Sequence, residues 1–169
     1  MTNIRIGFGY DVHQLWEDYD LWLGGIKIPF EKGSVGHSDA DVLTHAICDA
    51  LLGAANLRDI GYQFPDTSPE YKGIDSKILL KRVMVLLQEK NYAVVNIDCT
   101  ICLQDPKINP YIPMMRGTLA PILGVTAEEV SIKATTTEKM GYIGRSEGIA
   151  AFATVLLVKK NNGITDMSL

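Results

Sequence analysis

The feature that most constrains this chain is an apolar helical stripe in its first third. Over residues 39–57, Val42, Ala46, Ala50 and Gly53 fall in one row at helical spacing, and Leu43, Ile47, Leu51 and Ala54 fall in the next. A stripe that wide cannot face water, so the helix must lie on a large apolar surface built by the rest of the chain. Segments with strand character can supply that surface. Residues 4–12 and 21–28 are rich in Gly and in β-branched or aromatic residues. Residues 92–103 alternate polar and apolar, 130–136 puts Val130, Ile132 and Ala134 on one face, and 149–159 is a mainly apolar final strand.

Two further helices are expected. Residues 75–91 carry Ile78, Leu79, Val83, Leu86 and Leu87 at helical spacing with Asp75 or Ser76 as cap, and 109–123 is a short Pro-rich helical region ending at Gly124. Ser38 with Asp41 forms a weak capping box before the first helix, and Gly24-Gly25 inside 21–28 suggests a bulge. Residues 31–36 read as a polar loop, 58–73 as a loop broken by Gly61, Pro65 and Pro69, and 138–148 as a glycine-punctuated loop or short helix. With no Rossmann fingerprint and no repeat, the fold class is α+β: a single layer of mixed β-sheet with helices packed on one face. One catalytic domain over residues 1–169 is expected, with 160–169 as a frayed polar tail.

Bulk properties exclude several classes. A net charge of −4 argues against a nucleic-acid partner, so an anionic ligand must be held by bound cations, backbone amides or a few placed Lys and Arg side chains. No apolar run approaches the roughly 18 residues of a membrane span, and the amino terminus lacks the features of a secretory signal, which points to the cytoplasm. The three cysteines, Cys48, Cys99 and Cys102, form an odd set and are expected as reduced thiols. Cys99 and Cys102 make a CxxC, yet residues three apart on a strand face opposite sides and share a metal poorly.

Asp11 and His13 stand two apart on a strand and so project from one face. His45, early in the helix, can point its imidazole back at them. Asp, His and His suit zinc, and three protein ligands leave a fourth position open for a substrate oxygen. Asp49, one turn beyond His45, could accept a hydrogen bond from the imidazole nitrogen that does not touch metal. His37 and Ser38 sit at the helix amino terminus, where the dipole favours anions. Thr135, Thr136, Thr137 and Glu138 put three hydroxyls and a carboxylate at a strand end, able to hold a diphosphate and a hard divalent cation. Taken singly each has a plainer reading: a chance Asp-x-His, a solvated cap, threonines that favour strands.

Together they resemble the 2-C-methyl-D-erythritol 2,4-cyclodiphosphate synthase family. The matching segments, in order, are Gly-Tyr-Asp-Val-His at 9–13, His-Ser-Asp-Ala-Asp-Val at 37–42, His45, Asp-Ile-Gly at 59–61, Phe-Pro-Asp-Thr at 64–67, Gln-Asp-Pro-Lys at 104–107, Ala-Thr-Thr-Thr-Glu-Lys at 134–139 and Gly-Arg-Ser-Glu-Gly-Ile-Ala at 144–150. The resemblance covers residues 4–159. Ala40 stands where many relatives have Gly, and Phe8 where others often have His.

The resemblance implies a zinc- and magnesium- or manganese-dependent homotrimer that closes a cytidine diphosphate intermediate of non-mevalonate isoprenoid synthesis to a cyclic diphosphate, releasing CMP. Asp11, His13 and His45 would ligate Zn²⁺, and Glu138 would hold Mg²⁺ or Mn²⁺. His37 and Thr136 would be the catalytic residues. Ser38, Asp59, Ile60 and Gly61 would form the substrate wall, and Phe64, Pro65, Asp66, Thr67 and Ser68 a loop over the erythritol phosphate. Leu103, Gln104, Asp105, Pro106, Lys107, Ile108 and Asn109, with Thr135 and Thr137, would cradle the nucleotide from a neighbouring subunit. Tyr142 and Arg145 would line the substrate or a central cavity, where some relatives bind an isoprenoid diphosphate. The alternatives are a zinc-dependent phosphohydrolase and a non-catalytic trimeric ligand-binding module.

Overall fold

The computed structural model describes residues 3–65, 68–71 and 73–160. In chain order its elements are β1 (Ile4–Glu17), β2 (Leu21–Leu23), β3 (Ile26–Ile28), β4 (Lys32–Ser34), α1 (Val42–Ala54), α2 (Ile60–Gln63), α3 (Ser76–Glu89), β5 (Tyr92–Cys102), α4 (Ile112–Leu123), β6 (Val130–Thr135), α5 (Gly141–Gly144) and β7 (Gly148–Lys159). Five strands form one sheet in the order β4-β1-β7-β5-β6, parallel between β5 and β6 and antiparallel elsewhere. Helices α1, α3 and α4 pack on one face of it, so the expected α+β layering is present.

The cover for the apolar stripe is β1 and β7, and two glycines set how close it comes. A Cβ at Gly7 would lie 1.9 Å from the carbonyl oxygen of Ala50, and one at Gly9 would lie 2.0 Å from that of Ala46. Helix backbone therefore rests directly on strand backbone, a contact that no larger residue permits. Along β1 the helix-facing row is Gly7, Gly9, Asp11, His13 and Leu15, while Ile4, Ile6, Phe8, Tyr10 and Val12 occupy the opposite, exposed face. The stripe itself is buried except for Gly53, which is exposed. In β5 a bulge between Val94 and Asn96 switches the phase, so that Tyr92 and Val94, then Ile97, Cys99 and Ile101, all face the helices. Cys99 is thus buried and Cys102 half-buried, on opposite faces as the strand period requires.

Four local expectations are corrected. Residues 21–28 are not one bulged strand but the hairpin of β2 and β3, turned by Gly24 and Gly25 at φ 58° and 77°. Two positive φ values in a two-residue loop are what a right-twisted hairpin demands, and Gly-Gly supplies them without strain. The residue that caps α1 is Asp41 rather than Ser38. Fully buried, its carboxylate accepts Thr44 N–H at 3.0 Å and Thr44 Oγ1–H at 2.8 Å, and also the N–H groups of Gly24 and Gly25 at 2.9 and 2.6 Å. One side chain thereby caps the helix and fixes the hairpin against it. The supposed loop 31–36 contains β4, whose pairing carries β1 on to Glu17. The broken loop 58–73 contains α2, with Asp59 as its cap. Residues 161–169, most of the expected tail, lie outside the described residues, and among those described no helix is long and apolar enough to cross a membrane.

Candidate metal centre

Period-two geometry turns Asp11 and His13 of β1 toward α1, and the close approach at Gly9 brings His45, in the first turns of that helix, down onto them. Asp11 Oδ2 lies 3.0 Å from His13 Nε2 and 3.0 Å from His45 Nδ1, and the two nitrogens are 3.2 Å apart. All three side chains are half-buried, and the set could hold a metal ion. A tetrahedral zinc ion with bonds of about 2.0–2.1 Å has ligand-to-ligand edges of about 3.3 Å, so these donors fit three corners of such a site and leave the fourth open.

The outer nitrogens fix both tautomers. His13 Nδ1–H donates to the carbonyl oxygen of Val35 at 3.0 Å, which leaves Nε2 as a lone pair. Ser76 donates its hydroxyl proton to Asp39, so its oxygen accepts from His45 Nε2–H at 2.8 Å and Nδ1 becomes the free ligand atom. Ser38 Oγ is a second neighbour of His45 Nε2 at 3.1 Å. When the two rings carry a proton on their inner nitrogens as well, burial still pushes the Asp11 pKa up, but the hydrogen bonds and positive charge that His13 and His45 then direct at it outweigh burial and hold the carboxyl well below the usual range. Burial lowers that of His45, and Asp11 overrides it, raising the imidazole above its ordinary value.

The hydrogen bond expected between Asp49 and His45 is not made. Asp49 Oδ1 accepts Ile60 N–H at 2.7 Å, because one turn further along α1 its side chain faces the start of α2, while Ser76 takes the imidazole. Sequence reading missed Ser76 and Asp39 in this role. The signal was faint: Asp39 lies inside the 37–42 motif, and Ser76 reads as a possible cap.

His13 and His45 open onto a cavity of about 470 Å³, lined also by His37, Ser38, Ile60, Gly61, Phe64 and Tyr71. His37 is exposed on its wall, and its carbonyl accepts Gly73 N–H at 2.6 Å. Ala40 takes φ 55°, a conformation that glycine adopts freely. Asp59 caps α2 by accepting Tyr62 N–H at 2.8 Å. Phe64 meets Tyr71 edge-on at 5.6 Å, and Ser68 N–H bonds the Pro65 carbonyl at 3.0 Å. Asp66 and Thr67 lie outside the described residues.

A second cavity, about 220 Å³, gathers Leu103, Pro106, Lys107, Ile108, Asn109, Thr135 and Thr136, together with Ala134. Nearby, Glu138 accepts from Thr136 Oγ1–H at 3.0 Å, Gln104 Oε1 accepts Lys139 N–H at 3.3 Å, and Asp105 precedes Pro106 through a cis peptide. Thr137 spends its hydroxyl on the Met140 carbonyl at 2.7 Å. Register separates this cavity from the metal triad. Asp11 pairs with Ala151, Ala151 with Ile101, and Ile101 with Ala134, so three strand spacings of about 4.8 Å, roughly 14 Å in all, lie between the two. Tyr142 joins neither cavity lining; its hydroxyl lies 3.4 Å from that of Tyr10 on the exposed sheet face, and this bond raises its pKa to about 12. Arg145 forms a bidentate pair with Glu147, both contacts at 2.8 Å.

Known proteins agree with this layout. The chain is 63% identical over 156 residues to a 2-C-methyl-D-erythritol 2,4-cyclodiphosphate synthase of Bacteroides thetaiotaomicron, covering 92% of this chain and 98% of that one. It is 65% identical over 154 residues to the protein of that name from Parabacteroides distasonis, covering 91% and 96%. Among solved structures, the CDP complex of IspF from Plasmodium falciparum superposes with a TM-score of 0.83 at 36% identity, over 95% of this chain and 99% of that one. The bifunctional IspDF of Campylobacter jejuni gives 0.91 at 39% identity over 95% of this chain, which spans 44% of that longer protein. Since the YgbB family matches residues 4–158, from the first strand to the last and through both cavities, the chain belongs to that family.

Proposed function

We propose that the chain is a phosphorus-oxygen lyase that converts 4-diphosphocytidyl-2-C-methyl-D-erythritol 2-phosphate to 2-C-methyl-D-erythritol 2,4-cyclodiphosphate and CMP, in the non-mevalonate route to isoprenoids. The observation that carries this reading is the triangle of Asp11, His13 and His45 donors, 3.0–3.2 Å on a side, open to a cavity in a chain whose relatives bear that enzyme's name. An oxygen of the 2-phosphate attacks the β-phosphorus, the bond from that phosphorus to the oxygen bridging the α-phosphate breaks, and the electron pair leaves on CMP. No protein nucleophile is required, so catalysis consists of folding the substrate back on itself and stabilising its charge. Zn²⁺ on Asp11, His13 and His45, and Mg²⁺ or Mn²⁺ on Glu138, would supply positive charge toward the phosphate oxygens. His37, on the wall of the cavity, donates to a phosphate oxygen and orients the attack; Thr136, whose hydroxyl donates to Glu138 at 3.0 Å, orients it from the nucleotide side through that carboxylate. Ser38, Ile60, Gly61 and Phe64 hold the erythritol, and Lys107 with residues 103–109 holds the nucleotide.

The reaction also calls for a homotrimer with shared sites. One diphosphate cannot bridge half-sites roughly 14 Å apart, whereas a second copy can bring its nucleotide cavity to the triad of the first. The apolar sheet face supports the assembly: Ile6 is 71% and Phe8 65% exposed, beside Tyr10 and Val12, a surface that an isolated chain would leave in water. Tyr142 and Arg145 would then border the trimer's central cavity, where an isoprenoid diphosphate could bind. One domain carries all of this chemistry, and the free Cys48, Cys99 and Cys102 suit the reducing cytoplasm.

The test is phosphorus NMR of the purified protein with the cytidine substrate and Mg²⁺, before and after zinc chelation. Cyclic diphosphate plus CMP, lost on chelation, upholds the reading. CMP with a linear product would make the protein a zinc phosphohydrolase, and binding without turnover would make it a ligand-binding module.

A further inference from the structure

We infer that Ser76 and Asp39 form a buried hydroxyl–carboxylate relay that orients His45 as a metal ligand and strengthens its donation, so that both are positioning residues of the metal centre. Ser76 is the first residue of α3 and is completely buried. Its hydroxyl donates to Asp39 Oδ1 and its N–H to Asp39 Oδ2 at 3.0 Å, while its oxygen accepts His45 Nε2–H at 2.8 Å. The helix has no need of that hydroxyl, because Asp75 already caps α3 by accepting Lys77 N–H at 2.8 Å. The side chain is instead committed to the imidazole.

The relay has a chemical consequence. A hydroxyl polarised by a carboxylate is a better acceptor, and an imidazole that donates to it at Nε2 becomes a stronger electron donor at Nδ1, where Asp11 and His13 converge. Charge balances as well: Asp11 and Asp39 together match a divalent cation, with both histidines neutral. Asp39 also ties the loop that carries His37 to the start of α3, since its own N–H bonds the Ile74 carbonyl at 3.1 Å. The relay therefore sets ligand orientation and holds the cavity wall in one structure. Ser38 is the weaker partner: its oxygen is the longer contact to Nε2, at 3.1 Å, and it has no carboxylate behind it, accepting instead Ala40 N–H at 3.1 Å.

This inference rests on the triad binding Zn²⁺, and the experiment separates the two. Zn²⁺ affinity of the full chain is measured by competition with a chromophoric chelator, for the parent, Asp11→Asn, Ser76→Ala and Asp39→Asn, alongside the visible spectrum of the Co²⁺ forms and the unfolding midpoint of the metal-free forms. If the parent binds no better than Asp11→Asn, the metal reading fails and the relay with it. If the parent binds, Ser76→Ala should lose about 10- to 100-fold in Zn²⁺ affinity and shift the Co²⁺ bands, which a purely structural serine, lowering only the metal-free midpoint, would not produce. Asp39→Asn, which keeps an acceptor but loses the charge, should show a smaller loss. Ser76→Ala binding Zn²⁺ within about twofold of the parent overturns the relay. Should Ser76→Ala fail to fold, Asp39→Asn decides: weakened Zn²⁺ binding upholds the relay, and parental binding overturns it.

Discussion

The carboxylate of Asp49 accepts the backbone N–H of Ile60 at 2.7 Å, tying the middle of α1 to the first residue of α2. That bond fixes a wall of the cavity, since Ile60 and Gly61 line it beside His13 and His45. Asp49→Ala strands a half-buried N–H, a cost of about 1–3 kcal/mol. The substrate KM should rise while Zn²⁺ stoichiometry stays unchanged. Asp49→Asn keeps an acceptor and should preserve KM. Burial raises the Asp49 pKa, so the folded state disfavours its ionised form. Its contribution to stability is therefore full below the ordinary 3.8 and is lost as pH rises through the folded value. The midpoint of Asp49→Asn relative to the parent should accordingly climb as pH rises above the ordinary 3.8 and level off beyond the folded value; a flat difference would mean that Asp49 ionises without penalty.

His45 predicts an opposite behaviour of the metal-free and metal-loaded chains. Although burial lowers it, the Asp11 carboxylate raises the imidazole pKa above 6.5. Protonation thus stabilises the metal-free fold fully below pH 6.5, and the contribution is lost as pH rises through the higher folded value. Zn²⁺ needs the deprotonated ring and displaces that proton. Across the same window the metal-free midpoint should fall while the increment given by Zn²⁺ grows. Thermal scans of both forms check this, and Asp11→Asn should abolish both trends.

Gly9→Ala probes the approach of α1 to β1. Its Cβ would meet the Ala46 carbonyl at 2.0 Å, backbone against backbone, so the helix must move. Overpacking of this kind costs about 1–3 kcal/mol, a drop of roughly 2–12 °C in midpoint for a chain of this size. Since His45 rides on the displaced helix, Zn²⁺ affinity should fall with it. A variant that loses stability but binds Zn²⁺ like the parent would show that the triad adapts to the helix position.

What the sequence discloses of this molecule follows how local each signal is. Asp11 and His13 can be assigned to one face because a strand repeats every two residues, and the buried rows of α1 are visible because a helix repeats every 3.6. The β2–β3 hairpin is hidden, since its strands of three residues show too little alternation and Gly-Gly serves a bulge as well as a turn. β4, Lys32-Gly33-Ser34, has no apolar alternation at all and is made by pairing with β1. The Ser76 contact with His45 joins residues 31 apart across two helices, and no local pattern encodes it. Asp49 has the right spacing from His45 for a second contact, but spacing along a helix does not say which neighbour a side chain faces.

The separation of Thr136 and Glu138 from the triad leads to a test of how the sites are shared. His45→Ala removes a proposed Zn²⁺ ligand on one side, and Glu138→Gln removes the carboxylate proposed to hold the second cation on the other. Each variant alone should have nearly no turnover, the first without bound Zn²⁺ and the second with it. If the chain assembles as the proposed trimer, unfolding the two together and refolding them as a mixture yields trimers of both kinds of copy. In a trimer containing both, one interface joins an intact triad to an intact nucleotide half-site, so random mixing should restore about one quarter of parental activity. Phe8→Lys, which charges the exposed sheet face, should abolish the recovery by preventing association, with size-exclusion chromatography reporting a monomer. If each active site lay within one chain, no mixture of the two variants would turn over, and the roughly 14 Å between the half-sites would have to close within a single copy.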